Sequence, residues 1–190
     1  MKILVIDNYD SFTYNLVHIL RELGTPPDVA KNDQIDMDGA ANYDKILISP
    51  GPGLPKESGQ MMEVIKRYAA VKSILGICLG HQGIGEAFGA AIYNIQNVLH
   101  GVTSQSKVIC RDEYLFQHVP SVFQCTHYHS WAVRADSIPP DLEITAMNEE
   151  GLVMGLRHKK YDVRGLQFHP ESIMTPEGPQ MIKNWVLNKN

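Results

Sequence analysis

The pentapeptide Gly76-Ile77-Cys78-Leu79-Gly80 sets a thiol between two glycines, with an apolar run before it and a helical pattern after it. A nucleophile at the centre of a G-x-nucleophile-x-G turn between strand and helix is held out above a sheet. The following helix offers unpaired N–H groups and a positive dipole end. Both favour the thiolate, the reactive form of cysteine. The N–H of Leu79 is placed to donate to a developing oxyanion. The same five residues also fit a small buried cysteine in a tight turn. Cys110 and Cys125 lack this frame and read as buried structural thiols.

A cysteine nucleophile needs a base. The candidate is His169 in Gln167-Phe168-His169-Pro170-Glu171, just after a strand-like run. Pro170 pushes the preceding residue toward extended geometry, and in an extended stretch residues i and i+2 face one side. Glu171 can then orient the imidazole. The bland alternative is a strand-end histidine beside a solvated acid. Two other patterns carry less. His127 and His129 form H-x-H, half of a possible metal site, but no clear acidic partner lies nearby in sequence. Gly83-Ile84-Gly85 fails as a dinucleotide loop because position 88 is Phe88 rather than glycine.

Short apolar runs and helical patterns alternate through the first half. Lys2–Ile6, Lys45–Ser49 and Ser73–Ile77 read as strands. Helices are expected from a Ser11 cap to about Leu23, over Glu57–Ala70 and over Gly80–Phe88. Gly24 and Pro26-Pro27 stop the first helix, and Pro50-Gly51-Pro52-Gly53 is a punctuated loop. The second half is richer in strands: Ser106–Cys110, Val122–His127, Leu142–Met147, Val153–Arg157 and Val163–Phe168, before a last helix over Pro179–Leu187. This order predicts a single α/β domain: a mostly parallel central sheet flanked by helices, with a smaller antiparallel portion.

The 190 residues, 44% hydrophobic, are enough for one core of ordinary size, and the net charge of −4 gives no basic surface for nucleic acid. The first residues hold only a four-residue apolar run, too short for a secretory signal or a membrane span, so a soluble cytoplasmic protein is expected. Three cysteines without a C-x-x-C argue against a disulfide framework or a structural zinc site.

With these residues in place, the chain resembles the class I (triad-type) glutamine amidotransferases. Gly76-Ile77-Cys78-Leu79-Gly80-His81-Gln82 is similar to that family's nucleophile motif, and Phe168-His169-Pro170-Glu171 to its His/Glu motif. Within the family it looks like the glutamine subunits of chorismate-using synthases, the anthranilate and aminodeoxychorismate branches. The carriers are Asp7–Asn15, Ser49-Pro50-Gly51-Pro52-Gly53, His100-Gly101, Tyr128-His129-Ser130 and Ser172-Ile173. The resemblance implies a flavodoxin-like fold and a Cys78–His169–Glu171 triad. It implies an oxyanion hole from the N–H groups of Leu79 and Gly53, and glutamine held by Gly51, Pro52, Gly53, Gln82, Ser130 and Trp131. It implies L-glutamine as substrate and a chorismate-using synthase large subunit (component I) as partner. No cofactor or metal is expected on this chain, Mg²⁺ being expected on the partner. Trp131 departs from the family, which commonly has leucine there. Other class I members, such as the glutaminase of guanylate synthesis, a decayed binding module and a stand-alone cysteine amidase are the competing readings. The Asp7–Asn15 block and the chain length point to the chorismate branch.

Of the three thiols, only Cys78 has a reactive frame. Glutamate release from glutamine is therefore expected to vanish in Cys78→Ser and to survive in Cys110→Ser and Cys125→Ser. The opposite pattern would refute the assignment.

Overall fold

The computed structural model describes residues 1–188, the side chains of 96–99 excepted. Nine strands form one sheet in the order β2-β1-β3-β4-β9-β8-β7-β5-β6. The strands are β1 (Ile3–Asp7), β2 (Asp28–Lys31), β3 (Lys45–Ile48), β4 (Ser73–Ile77), β5 (Ile92–Val108), β6 (Val122–Val133), β7 (Leu142–Asn148), β8 (Val153–His158) and β9 (Val163–Leu166). The block from β2 to β9 is parallel. From β9 outward every pairing is antiparallel, ending in the long β5–β6 ribbon. The helices are α1 (Thr13–Glu22), α2 (Met61–Tyr68), α3 (Leu79–Ala87) and α4 (Gly178–Leu187).

The period-2 alternation of strands decides which helix covers which face. Ile3 and Val5 of β1 pack with Leu16, Val17 and Leu20 of α1 and with Met181, Ile182 and Trp185 of α4. Leu4 and Ile6 point the other way, into a core with Met61, Val64 and Ile65 of α2 and Ile84 of α3. Burial on both faces explains why these strands read as continuous apolar runs.

In an open parallel sheet, ligands bind outside the carboxyl ends of the strands, at the point where the connections diverge. Here the order 2-1-3-4 puts that point between β1 and β3. The two loops leaving it are tied together: Asn8 N–H donates to Ser49 Oγ at 2.9 Å, and Asn8 Nδ2 to the Ser49 carbonyl at 2.8 Å. The β1–α1 loop is organised by the buried Asp7 carboxylate. Its Oδ1 accepts from the Tyr9 N–H at 2.8 Å and from Thr13 Oγ1 at 3.0 Å, and its Oδ2 pairs with Lys31 Nζ at 2.6 Å.

The first helix lacks the cap expected of Ser11. It starts one residue later, at a Phe12 N-cap without a side-chain bond, because Asp10 Oδ1 takes the Phe12 N–H at 2.8 Å instead. The second helix begins at Met61, not Glu57. Pro55–Glu57 forms a separate 3₁₀ turn, and Gly59 at φ 52° breaks the path between them.

Asp7→Ala would remove the partner of the Lys31 ammonium and of the three donors that Oδ1 now satisfies, Tyr9 N–H, Asp10 N–H and Thr13 Oγ1, so a stability loss of about 2–3 kcal/mol is expected. Asp7→Asn keeps Oδ1 and is expected to lose less. Urea unfolding midpoints at constant slope check both. Equal midpoints for wild type and Asp7→Ala would contradict this account of the loop.

Candidate active site

Cys78 joins β4 directly to α3 at φ 51°, ψ −98°, in the left-handed half of backbone space. A residue with a β-carbon held there stores about 1–3 kcal/mol of strain, sustained only by its surroundings. Those surroundings are visible. The Cys78 N–H donates to the Leu166 carbonyl of β9 at 2.8 Å, and its carbonyl accepts from the Gln82 N–H at 3.0 Å. The flanking glycines are needed for contact: a β-carbon on Gly76 would lie 2.5 Å from the Gly80 backbone, and one on Gly80 would lie 2.8 Å from the Ile48 carbonyl. The thiol thus sits at the N-terminus of α3, beside backbone N–H groups that lack intrahelical partners.

His169 and Glu171 meet as expected, with His169 Nδ1 and Glu171 Oε1 2.6 Å apart. The route differs. Strand β9 ends at Leu166, and the contact is made across a turn in which the Ser172 N–H donates to the His169 carbonyl at 3.2 Å. The turn is pinned to β6: the His169 N–H donates to the Thr126 carbonyl at 3.2 Å, and the Thr126 N–H to Thr175 Oγ1 at 3.1 Å. Both side chains are essentially buried, at 2% and 0% exposure. Burial alone disfavours an imidazolium at His169. The Cys78 sulfur and the Glu171 carboxylate outweigh it and raise the pKa to about 10. Among the described residues His169 Nε2 has no hydrogen-bond partner, which leaves it the ring nitrogen free to exchange a proton. Phe12 and Tyr128 pack on the imidazole with ring centroids 5.3 and 5.1 Å away, and on each other at 5.0 Å.

In front of Cys78 lies a cavity of about 150 Å³. All six positions expected to hold glutamine, Gly51, Pro52, Gly53, Gln82, Ser130 and Trp131, line it with Cys78, joined by Tyr128 and His129. Gly53 has φ 76°, which a glycine adopts without strain, and its N–H donates to no group among the described residues. Leu79 is the first residue of α3, where a backbone N–H lacks an intrahelical partner. A larger groove of about 840 Å³ opens at the opposite ends of the strands, around Lys45, Ser73 and Arg164, and holds none of these residues.

The ring nitrogens of His127 and His129 bond to each other and to neighbouring groups. His127 Nδ1 meets His129 Nε2 at 3.0 Å, His127 Nε2 meets Ser104 Oγ at 2.7 Å, and His129 Nδ1 meets the Trp131 carbonyl at 2.9 Å. Burial lowers their pKa values to about 4 and about 3, so both are neutral near pH 7. Among the described residues no group of three or more His, Cys, Asp or Glu is placed to hold a metal ion. No described helix is long and apolar enough to cross a membrane.

From the sequence no role was assigned to Gln167, Tyr128, Thr126 or Thr175. Gln167 Nε2 lies 3.7 Å from Cys78 Sγ, and its Oε1 lies 3.3 Å from Gln82 Nε2. Its only sequence signal was its place two residues before His169.

A strained cysteine at a strand-to-helix turn, a buried His–Glu pair and a small polar cavity meet at the carboxyl ends of the parallel strands of an α/β sheet. The family model "Glutamine amidotransferase class-I" matches residues 4–189. The chain is 46% identical to anthranilate synthase component 2 of Porphyra purpurea, covering 97% of this chain and 98% of that one. It is 43% identical to aminodeoxychorismate synthase component 2 of Escherichia coli, again over 97% and 98%. The structure superposes on a candidate GMP synthase subunit from Thermoplasma acidophilum with a TM-score of 0.87 and 28% identity, covering 98% of this chain and 92% of that one. The chain belongs to the class I glutamine amidotransferase family.

A raised histidine pKa means that the folded state holds the proton more tightly than the unfolded chain. The resulting stabilisation is complete below the ordinary value of 6.5 and is lost as pH rises through about 10. The melting-temperature gap between wild type and His169→Gln is therefore expected to narrow from pH 7 to pH 10. A gap independent of pH would contradict the charged state assigned to His169.

Proposed function

We propose that this chain hydrolyses L-glutamine through Cys78, His169 and Glu171 and delivers the ammonia to a chorismate-using component I. The observation that carries the reading is the cavity itself, where every residue expected to hold glutamine meets the elbow cysteine. Its volume suits one amino acid rather than a peptide strand, which disfavours a stand-alone peptidase. The component 2 relatives support the chorismate branch, at 46% and 43% identity against 28% for the guanylate-synthesis neighbour.

In this reading the Cys78 thiolate adds to the amide carbon of glutamine. The oxygen gains the electron pair and is met by the N–H groups of Leu79 and Gly53. As the C–N bond breaks, His169 Nε2 protonates the departing nitrogen, and ammonia leaves a glutamyl thioester. His169 then takes a proton from water as it adds to the thioester, and the thiolate departs to give glutamate. Glu171, bonded to Nδ1, keeps Nε2 turned toward the sulfur. Gln82 spends Nε2 on the Trp131 carbonyl at 2.8 Å and on Gln167, so Oε1 is the atom it can offer a substrate ammonium. The Trp131 carbonyl is committed to Gln82 and His129, which leaves Trp131 a wall of the cavity.

Component I would cover the face around the triad. Ile173 is 96% exposed there, beside Phe12, Tyr128 and Met174, and Tyr9 and Tyr14 of the β1–α1 region are more than half exposed. Because Phe12 and Tyr128 rest on His169, pressure on this face reaches the triad directly.

Docking that aligns the Gly53 N–H adds one oxyanion donor, worth about 10²–10³ in kcat. Ammonia release is expected to rise by that order when component I and chorismate are added, and Ile173→Asp is expected to blunt the rise without altering the partner-free rate. An unchanged kcat at saturating partner would show that the site is already complete. Cys78→Ser should leave ammonia-dependent synthesis by the partner intact. Loss of that activity would contradict the division of labour.

A further inference from the structure

Gln167 is fully buried, and its carboxamide contacts the Cys78 sulfur without having a part in the proposed reaction. Its orientation is forced by a chain of single-valued choices. The Trp131 carbonyl can only accept, so it takes hydrogens from Gln82 Nε2 and from His129 Nδ1. With its NH₂ group placed there, Gln82 gives the second hydrogen to Gln167 Oε1 at 3.3 Å. Gln167 must then turn its own NH₂ to Cys78 Sγ, at 3.7 Å. Flipping either amide would set oxygen against oxygen or NH₂ against NH₂. The same carbonyl fixes the other branch: His129 Nε2 accepts from His127 Nδ1, and His127 Nε2 accepts from Ser104 Oγ.

We infer that Gln167 is a positioning residue for the nucleophile, a carboxamide clamped by Gln82 that donates to Cys78 Sγ and holds the sulfur over the cavity. The inference rests on the reading of Cys78 as nucleophile. A neutral donor suits the place. Its bond strengthens as the sulfur becomes a thiolate, and it brings no charge to compete with His169. It also ties the sulfur to the ligand, because the amide that clamps Gln167 belongs to Gln82, which lines the cavity. Ser104, His127 and His129 hold the Trp131 carbonyl in place at the far end of the chain.

The test compares Gln167→Met and Gln167→Glu with wild type, reading the rate of Cys78 carboxamidomethylation by iodoacetamide at pH 8 together with glutaminase kcat and KM. Gln167→Met loses the donor. Its alkylation rate and kcat are each expected to fall about tenfold, as for loss of one charge-assisted bond, with KM within about twofold. Gln167→Glu keeps the shape and the acceptor for Gln82; its carboxyl can donate to the sulfur while protonated, a form that burial favours, and turns an acceptor-only oxygen toward it once ionised. Its rates are therefore also read up to about pH 9.5, where it is expected to be slower still. A filler role gives the reverse order, with Glu nearest wild type, and that order, or wild-type rates in both variants, would overturn the inference. If Gln167→Met does not fold, Gln167→Glu against wild type decides by the same criterion. Alkylation of wild-type Cys78 that leaves glutaminase activity intact would instead remove the nucleophile reading, and this inference with it.

Discussion

Cys78 is held at φ 51° as the single residue between the end of β4 and the start of α3. A β-carbon resists this conformation, and the rest of the site can be read as what keeps it there. The two glycines let α3 come down onto β3 and β4. The bond from the Cys78 N–H to Leu166 makes β9 the neighbour of the elbow, and β9 in turn delivers Gln167 and His169 to the sulfur. Strain of about 1–3 kcal/mol is small against the burial of two apolar cores and large against any single contact at the site. Cys78 is therefore positioned by the whole sheet, not by one partner.

The antiparallel half of the sheet supplies what the parallel half cannot. Parallel strands bring Cys78, Gly53 and His169 to one edge as strand ends. Strand β6 crosses that edge and adds the bond to His169, the ring of Tyr128 and the walls from His129 to Trp131. Two polar systems result. One joins the Cys78 sulfur to His169 and Glu171. The other is neutral and directional, running from Ser104 through two histidines to Trp131, Gln82 and Gln167. They meet at the sulfur. In the proposed reaction the first moves protons and the second keeps geometry while it does so.

The elbow motif and the His/Glu pair were legible in sequence because their chemistry is local. A turn needs glycines at fixed offsets, and Glu171 reaches His169 from two residues away. The fold class was legible because strands buried on both faces give unbroken apolar runs. Much of β5 was not. Only Ser106–Cys110 was expected where Ile92–Val108 runs, because this ribbon alternates polar residues, carries Gly101 at φ 67° and gains its order from pairing with β6. Strand β2 is a four-residue edge following two prolines, with no apolar run to mark it. Gln167 was invisible for a different reason. A carboxamide has no reactivity of its own, and its role exists only once α3 brings Gln82 and the elbow brings Cys78 to it.

The central claim is that Cys78 alone forms the covalent bond to glutamine. A glutamine analogue with a diazoketone in place of the carboxamide would alkylate the attacking sulfur, and peptide mass mapping would locate the adduct. The account predicts a single adduct, on the peptide carrying Cys78, that appears as glutaminase activity disappears and is absent from Cys78→Ser. An adduct on Cys110 or Cys125 that tracks the loss of activity, or activity lost with Cys78 unmodified, would contradict it.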